Sequence, residues 1–294
     1  MNGRMKVIIA YDGSAHAEAA IDDLRRAGLP RDAEALIVSV ADLSATGQAI
    51  SEFDLHSLIS RRADAVLSRV RKQRRRVIEE TENLAEKAAK RLRSEFPEWK
   101  VASEVLEGKP ADEILRKADE WKPDLIVVGS QGRSAIGRFF LGSVSKKIAE
   151  EAACPVRVVR RGFEKTNDEP TKIIAGASCL KDAERVIESI GRRVWSDGTK
   201  VRIVKIDDGI SPGRVSAVYP YAAGIFEQAA ESLAACGLKI SVDIKSGNSK
   251  TILLEAAENW EADSIFFAAS GESNLDETVK SLVTDAKCTV EIVR

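Results

Sequence analysis

The sequence contains little of what metal-dependent and membrane proteins rely on. It has four cysteines and no Cys-x-x-Cys pair, which speaks against a structural zinc site and indicates a reducing compartment. Its two histidines, His16 and His56, have no set of ligands near them, so no metal site is expected. The same scarcity of histidine excludes nucleotidyltransferase signatures that depend on paired histidines. No run of about 18 apolar residues occurs, so no membrane span is expected.

The sequence also lacks a large excess of charge of either sign. The 294 residues carry 45 Lys and Arg against 46 Asp and Glu, a formal net charge of -1, which favours neither nucleic acid nor an acidic partner. With 44% hydrophobic residues, the chain is long enough for two globular domains. The apolar run near the N-terminus is too short for a signal peptide. We therefore expect a cytoplasmic protein.

Apolar runs alternate with amphipathic stretches along the first half. The runs are rich in Val and Ile and apolar at nearly every residue, as is typical of strands covered on both faces of a parallel sheet. The predicted strands lie at 6–11, 34–41, 99–108, 124–130 and 155–161. Helical stretches such as 15–28 and 110–121 separate them, so the pattern predicts an α/β fold with helices on both faces of an open parallel sheet.

An internal repeat sets the domain count. Residues 108–132 align without a gap with residues 247–271, which places Gly108 on Gly247 and Trp121 on Trp260. The segment "CPVRVVR" from residue 154 likewise matches "CTVEIVR" from residue 288, and "KVIIAYDGS" matches "KIIAGAS". We predict two tandem five-stranded α/β domains, at 1–161 and 172–294, joined by a polar linker at 162–171.

A glycine-rich stretch follows the fourth predicted strand. In "GSQGRSAIGRFFLGS" (129–143), the glycines are followed by Ser143, which we expect to be the N-cap of a helix over 144–153. Open α/β sheets bind ligands at this edge, and a helix start with exposed N–H groups favours phosphate. Alternatively, the glycines only shape a tight loop. The spacing is neither a Walker A loop nor the Rossmann G-x-G-x-x-G pattern.

A resemblance adds weight to the ligand interpretation. The pattern G-x2-G-x9-G-S resembles the nucleotide-binding signature of the universal stress protein family. The segments "KVIIAYDGSAHAEAAI", "EGKPADEIL" and "ACPVRVVR" are similar to that family as well. The resemblance implies a Rossmann-like domain of the adenine nucleotide α-hydrolase-like type, and it implies that a domain with the full glycine pattern binds ATP, or ADP or AMP, with Mg²⁺ or Mn²⁺ as an accompanying ion.

The resemblance also implies a set of ligand contacts. Asp12 would lie near ribose or adenine, Val40 would contact adenine, and backbone and hydroxyl groups of the glycine stretch would hold the phosphates. The implied nucleotide-binding residues are Ala10, Asp12, Val40, Gly129, Ser130, Gly132, Arg133, Gly142, Ser143 and Val144. Simpler roles stay open for three of them: Asp12 as a helix cap, Val40 as core, and Arg133 as a surface charge.

The second copy departs from this pattern. Ala268 replaces the first glycine, and Asp276 and Glu277 stand where Gly142 and Ser143 do, so carboxylates would repel phosphate there. We predict that the second domain does not bind ATP and serves as a structural partner of the first. The resemblance implies pairing through the closing strands, either between two chains as a homodimer or internally as a pseudo-dimer.

No nucleophile-and-base arrangement can be recognised, and the S-G-G-x-D-S motif of related adenylating enzymes is missing, so no catalytic residue is assigned. The leading hypothesis is an ATP-binding stress-response or signalling module with an unidentified protein partner. The alternatives are slow ATP hydrolysis or self-phosphorylation at Ser143 or Ser145, and a ligand-free interaction protein.

A basic segment stands apart from these motifs. Residues 61–76 carry eight basic residues against one acidic, inside a predicted amphipathic helix over 56–94. Glutamates that follow it are expected to neutralise part of the charge. We interpret it as a solvated helix face or a partner surface, because it lacks the aromatic residues of a nucleic-acid site.

Overall fold

The computed structural model describes residues 3–43, 63–132, 141–160, 169–177, 180–207, 230–268 and 277–294. The strands are β1 (Met5–Ala10), β2 (Ala33–Ala41), β3 (Lys100–Glu107), β4 (Leu125–Gly129), β5 (Val156–Val159), β6 (Lys172–Ala177), β7 (Lys200–Asp207), β8 (Lys239–Ser246), β9 (Ser264–Ala268) and β10 (Thr289–Val293). The helices are α1 (Ala15–Asp23), α2 (Ala63–Glu95), α3 (Pro110–Trp121), α4 (Ser143–Glu151), α5 (Leu180–Gly191), α6 (Ser249–Asn259) and α7 (Glu277–Asp285), and a helical segment at 230–235 precedes β8.

The strands form one sheet in the order β3-β2-β1-β4-β5-β10-β9-β6-β7-β8. Within each half the neighbouring strands are parallel, which confirms two copies of a five-stranded parallel unit. The two units are joined because β5 pairs antiparallel with β10. The sheet is therefore ten-stranded, where the repeat alone predicted two separate sheets of five.

The sequence repeat corresponds to repeated contacts. The backbone N–H of Lys6 donates to the carboxylate of Asp124 at 2.7 Å, and Lys172 makes the same bond to Asp263 at 2.7 Å. Each lysine ammonium also donates to the carbonyl of a tryptophan, Trp121 or Trp260, at 3.2 Å. The tryptophans that revealed the repeat thus stand at the C-terminal ends of matching helices, Trp121 as the last residue of α3 and Trp260 as the C-cap of α6.

Helices cover both faces of the sheet. On one face α1 and α2 bury Ile21 and Leu92 against the first half, while α5 buries Val186 and Ile190 against the second. On the other face α3, α4, α6 and α7 share a single apolar cluster that runs from Ile8 in β1 to Ile292 in β10. Burial of this continuous cluster links the two halves, because apolar surface from both is removed from water together.

We call the antiparallel pair of β5 and β10 the seam. Its flanks carry one contact in two copies: Arg160 Nη2 donates to the carbonyl of Val283 in α7 at 2.8 Å, and Arg294 Nη2 donates to the carbonyl of Ala149 in α4 at 2.5 Å. Each arginine ends one repeat and binds carbonyls near the C-terminal end of a helix of the other repeat. The seam therefore has approximate two-fold symmetry.

Helix α2 reaches beyond the body of the first half. Its buried residues are Ala85, Ala88, Ala89 and Leu92, whereas no residue from 67 to 84 is buried. The basic segment lies in this exposed part, where Arg75 and Arg76 pair with Glu79 and Glu80 and Arg74 pairs with Glu107. Neutralisation by following glutamates is confirmed. The start that the sequence predicted for this helix, residue 56, lies outside the described residues.

The predicted boundaries need small corrections. The strands are shorter than the apolar runs at most ends, because the outer residues of each run lie past the last ladder pair; β5, for example, ends at Val159 rather than at residue 161. The predicted helix at 15–28 ends at Asp23 and continues as a 3-10 turn to Arg26. Residues 161–168 lie outside the described ranges, so the linker at 162–171 stays a prediction. Thr171 is buried and accepts a bond from Lys200 N–H at 2.8 Å, so the end of that segment packs with the second half.

Candidate functional site

The carboxyl ends of β2, β1 and β4 lie side by side in the first half. Ala10 ends β1, where it pairs with Val38 and Val128, and Val40 stands near the end of β2. Ala10 is buried, and half-buried Val40 and Val144 pack against the same apolar cluster. One apolar wall therefore adjoins the edge at which parallel sheets receive ligands.

Asp12 lies in the turn between β1 and α1. Its Oδ1 accepts a bond from the N–H of Ser14 at 2.9 Å, and Gly13 between them has a φ of +76°, a conformation that suits glycine. The N-cap of α1 is Ser14, whose Oγ accepts from Ala17 N–H at 3.1 Å. The alternative in which Asp12 caps the helix is thus wrong, because Asp12 precedes the cap and shapes the turn instead.

The start of the glycine stretch packs directly on that turn. A Cβ placed on Gly132 would lie 3.0 Å from Oδ2 of Asp12, and Ser14 Oγ lies 3.4 Å from the carbonyl oxygen of Gln131. Gly129 is closer still to α1, since a Cβ there would lie 2.6 Å from the backbone carbonyl of His16. Position 129 must therefore be glycine so that α1 can pack against it, whereas the glycine at position 132 leaves room beside the carboxylate of Asp12.

The end of the glycine stretch returns to its beginning. Gly142 N–H donates to the carbonyl of Ser130 at 2.8 Å, and Ser145 Oγ donates to the carbonyl of Gly129 at 2.6 Å. These bonds hold the N-terminus of α4 at the end of β4, with Gly132 N 3.5 Å from a Cβ position on Gly142. The first N–H groups of a helix have no partner within it, and its dipole favours anions there.

The helix itself begins one residue earlier than the sequence predicted. Gly142 is the N-cap, with no side-chain cap bond, and its carbonyl accepts from Lys146 N–H at 2.9 Å. Ser143 is consequently the first helical residue and not the cap, and α4 ends at Glu151 rather than 153. Ser143 is exposed, whereas Ser145 is buried with its hydroxyl bound to Gly129, so the two serines proposed for phosphorylation differ in access.

Nine of the ten residues implied by the resemblance are described, and they converge on this edge of the sheet. Arg133, the tenth, lies outside the described residues. The backbones of Gly129, Ser130 and Gly142 bond to the protein itself. Gly132 adjoins Asp12 of the turn on one side and Gly142, the residue before Ser143 and Val144, on the other.

Comparison with known proteins identifies the family. Residues 3–160, more than half of the chain, match the universal stress protein family. The chain belongs to that family. The universal stress protein YxiE of Bacillus subtilis is 33% identical over 157 residues, which make up 53% of this chain and 98% of that protein. The universal stress protein MJ0531 of Methanocaldococcus jannaschii is 41% identical over 78 residues, 26% of this chain and 46% of that protein.

The matched lengths differ among relatives. The chain spans less than half the length of MJ0531 and of a Thermus aquaticus universal stress protein, 46% and 41% of those proteins respectively. A solved universal stress protein from Archaeoglobus fulgidus covers 98% of this chain and 98% of its own, at a TM-score of 0.64 and 18% identity. That likeness shows a shared fold over both halves.

In the second half of this universal stress protein, the described residues at the equivalent edge differ from those of the first half. Helix α7 begins at Glu277 as α4 begins at Ser143, so a carboxylate stands at the helix start. Phe267 and Ala268 end β9 where Val128 and Gly129 end β4. Beside them Leu253 fills the space over Gly176, where a Cβ would lie 2.7 Å from its Cδ2. Asp276 lies outside the described residues.

Sequence reasoning missed the support behind the turn. Tyr11, which precedes Asp12, is buried and donates its hydroxyl to Glu18 of α1, which in turn pairs with Arg91 of α2 at 2.5 Å. Burial and the Glu18 carboxylate raise the pKa of the Tyr11 hydroxyl above its ordinary value. The carbonyl of Tyr11 accepts from Ser39 Oγ at 2.6 Å. The spacing of Tyr11 and Glu18 across the "DGS" turn was the available signal.

Over the described ranges, no group of three or more His, Cys, Asp and Glu side chains is placed to hold a metal ion. Within the same part of the chain, no helix is both long and apolar enough to cross a bilayer.

Proposed function

We propose that the first half binds one adenine nucleotide, ATP foremost, at the carboxyl ends of β1, β2 and β4. The observation that carries the proposal is the convergence of Gly132 and the N-terminus of α4 with Asp12, which is more than 100 residues away in sequence, beside an apolar wall. Helix α4 would place N–H groups toward the phosphates, and the narrow space beside Gly132 would admit a ligand close to the backbone.

The chemistry divides among the residues. Val40 and Val144 offer apolar surface that suits an adenine ring, and Asp12 offers a carboxylate that suits ribose hydroxyl groups. The exposed Ser143 hydroxyl stands at the helix start beside the proposed phosphate position. Mg²⁺ or Mn²⁺ would enter on the phosphate oxygens, since Mg²⁺ is usually bound through substrate phosphates and one or two carboxylates, with Asp12 the nearest candidate.

The second half is proposed to bind no ATP. Glu277 at the first turn of α7 opposes an anion at the helix start. Its role is to pair with the first half along the seam. We propose an intracellular sensor or signalling module whose occupied site changes an interaction surface; the cytoplasmic location rests on the cysteine pattern and stays a prediction.

Titration of ATP with the variant Gly132→Val tests the proposed site. A valine side chain would extend from a position 3.0 Å from Asp12 Oδ2 into the proposed ligand space, so ATP affinity should fall at least about tenfold while the free protein keeps its melting temperature. The matched control is Gly271→Val at the repeat counterpart, which should bind ATP as the natural chain does.

Chromatography of the nucleotide during the titration separates the alternatives. Intact ATP after prolonged incubation supports a binding module, whereas ADP formation that Gly132→Val abolishes supports slow catalysis. Phosphate found on the protein at Ser143 and removed by Ser143→Ala would support self-phosphorylation. Equal ATP binding by the natural chain and Gly132→Val would contradict the proposed site.

A further inference from the structure

Two charged residues face each other at the centre of the seam with no access to water. Arg157 of β5 pairs in register with Glu291 of β10, and both are 0% exposed. Arg157 Nη1 lies 3.0 Å from Glu291 Oε2. Removing charges from water is costly, and a buried ion pair contributes little net stability, so its presence calls for another explanation.

Each half supplies one further charge to this group. Asp23 of α1 accepts from Arg157 Nε at 2.5 Å, and Arg193, which follows α5, pairs with Glu291 and donates to the carbonyl of Ala27 at 2.7 Å. The first half therefore contributes one carboxylate and one guanidinium, and so does the second. Among the described residues, the other groups that contact the cluster are neutral. Thr289 Oγ1 donates to Asp23 at 3.0 Å, and the rings of Phe266 and Trp195 lie 5.0 and 6.0 Å from the Arg193 guanidinium.

Arg157 and Glu291 are also the same position of the repeat. They are the fourth residues of "CPVRVVR" and "CTVEIVR", and the approximate two-fold symmetry of the seam brings these equivalent positions opposite each other. The flanking contacts of Arg160 and Arg294 are alike in both directions and cannot distinguish one half from the other. The centre of the seam is where the two sides differ in charge, with Arg157 and Asp23 on one side and Glu291 and Arg193 on the other.

We propose that the charge difference between Arg157 and Glu291 makes the seam accept only the unlike half. Pairing of two first halves in the same register would bury Arg157 against Arg157, and pairing of two second halves would bury Glu291 against Glu291. Each half keeps its own counter-ion, Asp23 for Arg157 and Arg193 for Glu291. A homotypic pair would nevertheless replace the ion pair across the seam with a buried contact between like charges, so both homotypic assemblies are disfavoured. The partner of each half is its unlike counterpart, and the strand edge through which single domains could pair is already occupied.

Charge reversal in the full-length chain tests the proposal. The variant Arg157→Glu gives the cluster three carboxylates and one guanidinium, and Glu291→Arg gives it one carboxylate and three guanidiniums. When the two variant chains are mixed and exchange halves, each seam regains two charges of each sign. We therefore expect the unmixed variants to lose amide protection in β5 and β10, and the co-refolded or co-expressed mixture to regain it.

Native mass spectrometry with differently tagged chains gives the readout. The mixture should form a two-chain species, twice the mass of the 32.0 kDa chain, containing one copy of each variant. The abundance of this mixed species should exceed that of either like-chain dimer, and that of the dimer formed by the unaltered chain, by about 100-fold. Recovery of soluble protein only on co-expression supports the proposal equally well if the single variants do not fold alone.

Matched controls come from an exposed ion pair. Glu188 of α5 and Arg192, the residue after α5, form an exposed ion pair. The variants Glu188→Arg and Arg192→Glu each reverse one of its charges, and mixing these two variants should give no mixed dimer. The proposal is overturned if each seam variant alone forms a protected cis seam, or if the mixture shows no preference for unlike chains or yields no folded protein.

Discussion

Gly129 and Gly132 stand three residues apart, yet a side chain would meet a different obstacle at each. At Gly129 it would meet the backbone of His16 at 2.6 Å, which cannot move without shifting α1. At Gly132 it would meet the carboxylate of Asp12, the end of a flexible side chain, at 3.0 Å. The sequence pattern treats both as ligand glycines, but packing alone explains the first. The glycine pattern alone therefore cannot distinguish a packing glycine from one that would adjoin a ligand.

The thiol of Cys154 provides a test at the same scale. Burial raises the pKa of Cys154 to about 11 from its ordinary value of 9.0. Only about one thiol in a thousand is then ionised at pH 8, so alkylation should be about 100-fold slower than for an ordinary exposed thiol. The rate should rise about tenfold for each pH unit until the pH reaches the raised pKa.

Peptide mapping after iodoacetamide treatment checks this expectation. Cys236, which is exposed, serves as the internal comparator, and Cys154→Ala identifies the modified peptide. Equal labelling of Cys154 and Cys236 at pH 8 would show that the thiol is not shielded as the structure has it.

Helix α2 illustrates what the element scale adds. Its apolar period predicted one long amphipathic helix, and 33 residues from Ala63 to Glu95 are helical. The period could not show where the supporting sheet ends. From residue 67, where the description of burial starts, Ala85 is the first buried residue. The part from 67 to 84, about 30 Å long if straight, therefore rests on helix propensity and ion pairs more than on packing.

Substitutions in the two parts of α2 should differ sharply. Leu92→Ala removes a side chain that is 0% exposed and should cost about 2–5 kcal/mol of the free energy of unfolding. Arg76→Ala breaks only an exposed pair with Glu80 and should leave the urea midpoint unchanged within error. A comparable loss for both variants in urea unfolding would mean that the exposed part packs on the protein.

At the scale of the whole molecule, the sequence pattern predicted the two units better than it predicted how they are joined. Continuous apolar runs and the Trp121–Trp260 match predicted two parallel α/β units, because strand burial on both faces and a repeated helix end leave local marks. Composition and periodicity left no mark of how the units are joined, and pairing through the closing strands was implied only by the family resemblance. The pairing of β5 with β10 within one chain is the internal form of that expectation. Arg157 and Glu291 look like ordinary charges in the sequence, and only the antiparallel register reveals that they meet and are buried. The glycine loop was recognised by pattern, whereas its anchoring by Ser14 and Ser145 depends on contacts distant in sequence.

The shared apolar cluster should make unfolding cooperative across both halves. Leu282 of α7 is 0% exposed within this cluster, which also contains Ile8 and Ile126 of the first half. Leu282→Ala should therefore lower the urea midpoint of a single unfolding transition shared by both halves, and it should not unfold the second half alone. Hydrogen exchange at rising urea concentration, followed in peptides of both halves, measures whether the two halves unfold together. Separate transitions for the two halves would contradict the continuous core.

The central claim is that one half binds an adenine nucleotide and the other does not. The most direct measurement is to denature freshly purified protein, after saturation with ATP and Mg²⁺ and removal of the excess, and to count the released nucleotide by chromatography and mass spectrometry. The account predicts about one intact adenine nucleotide per chain. Two per chain would contradict the loss of the second site, and none would contradict the nucleotide site altogether.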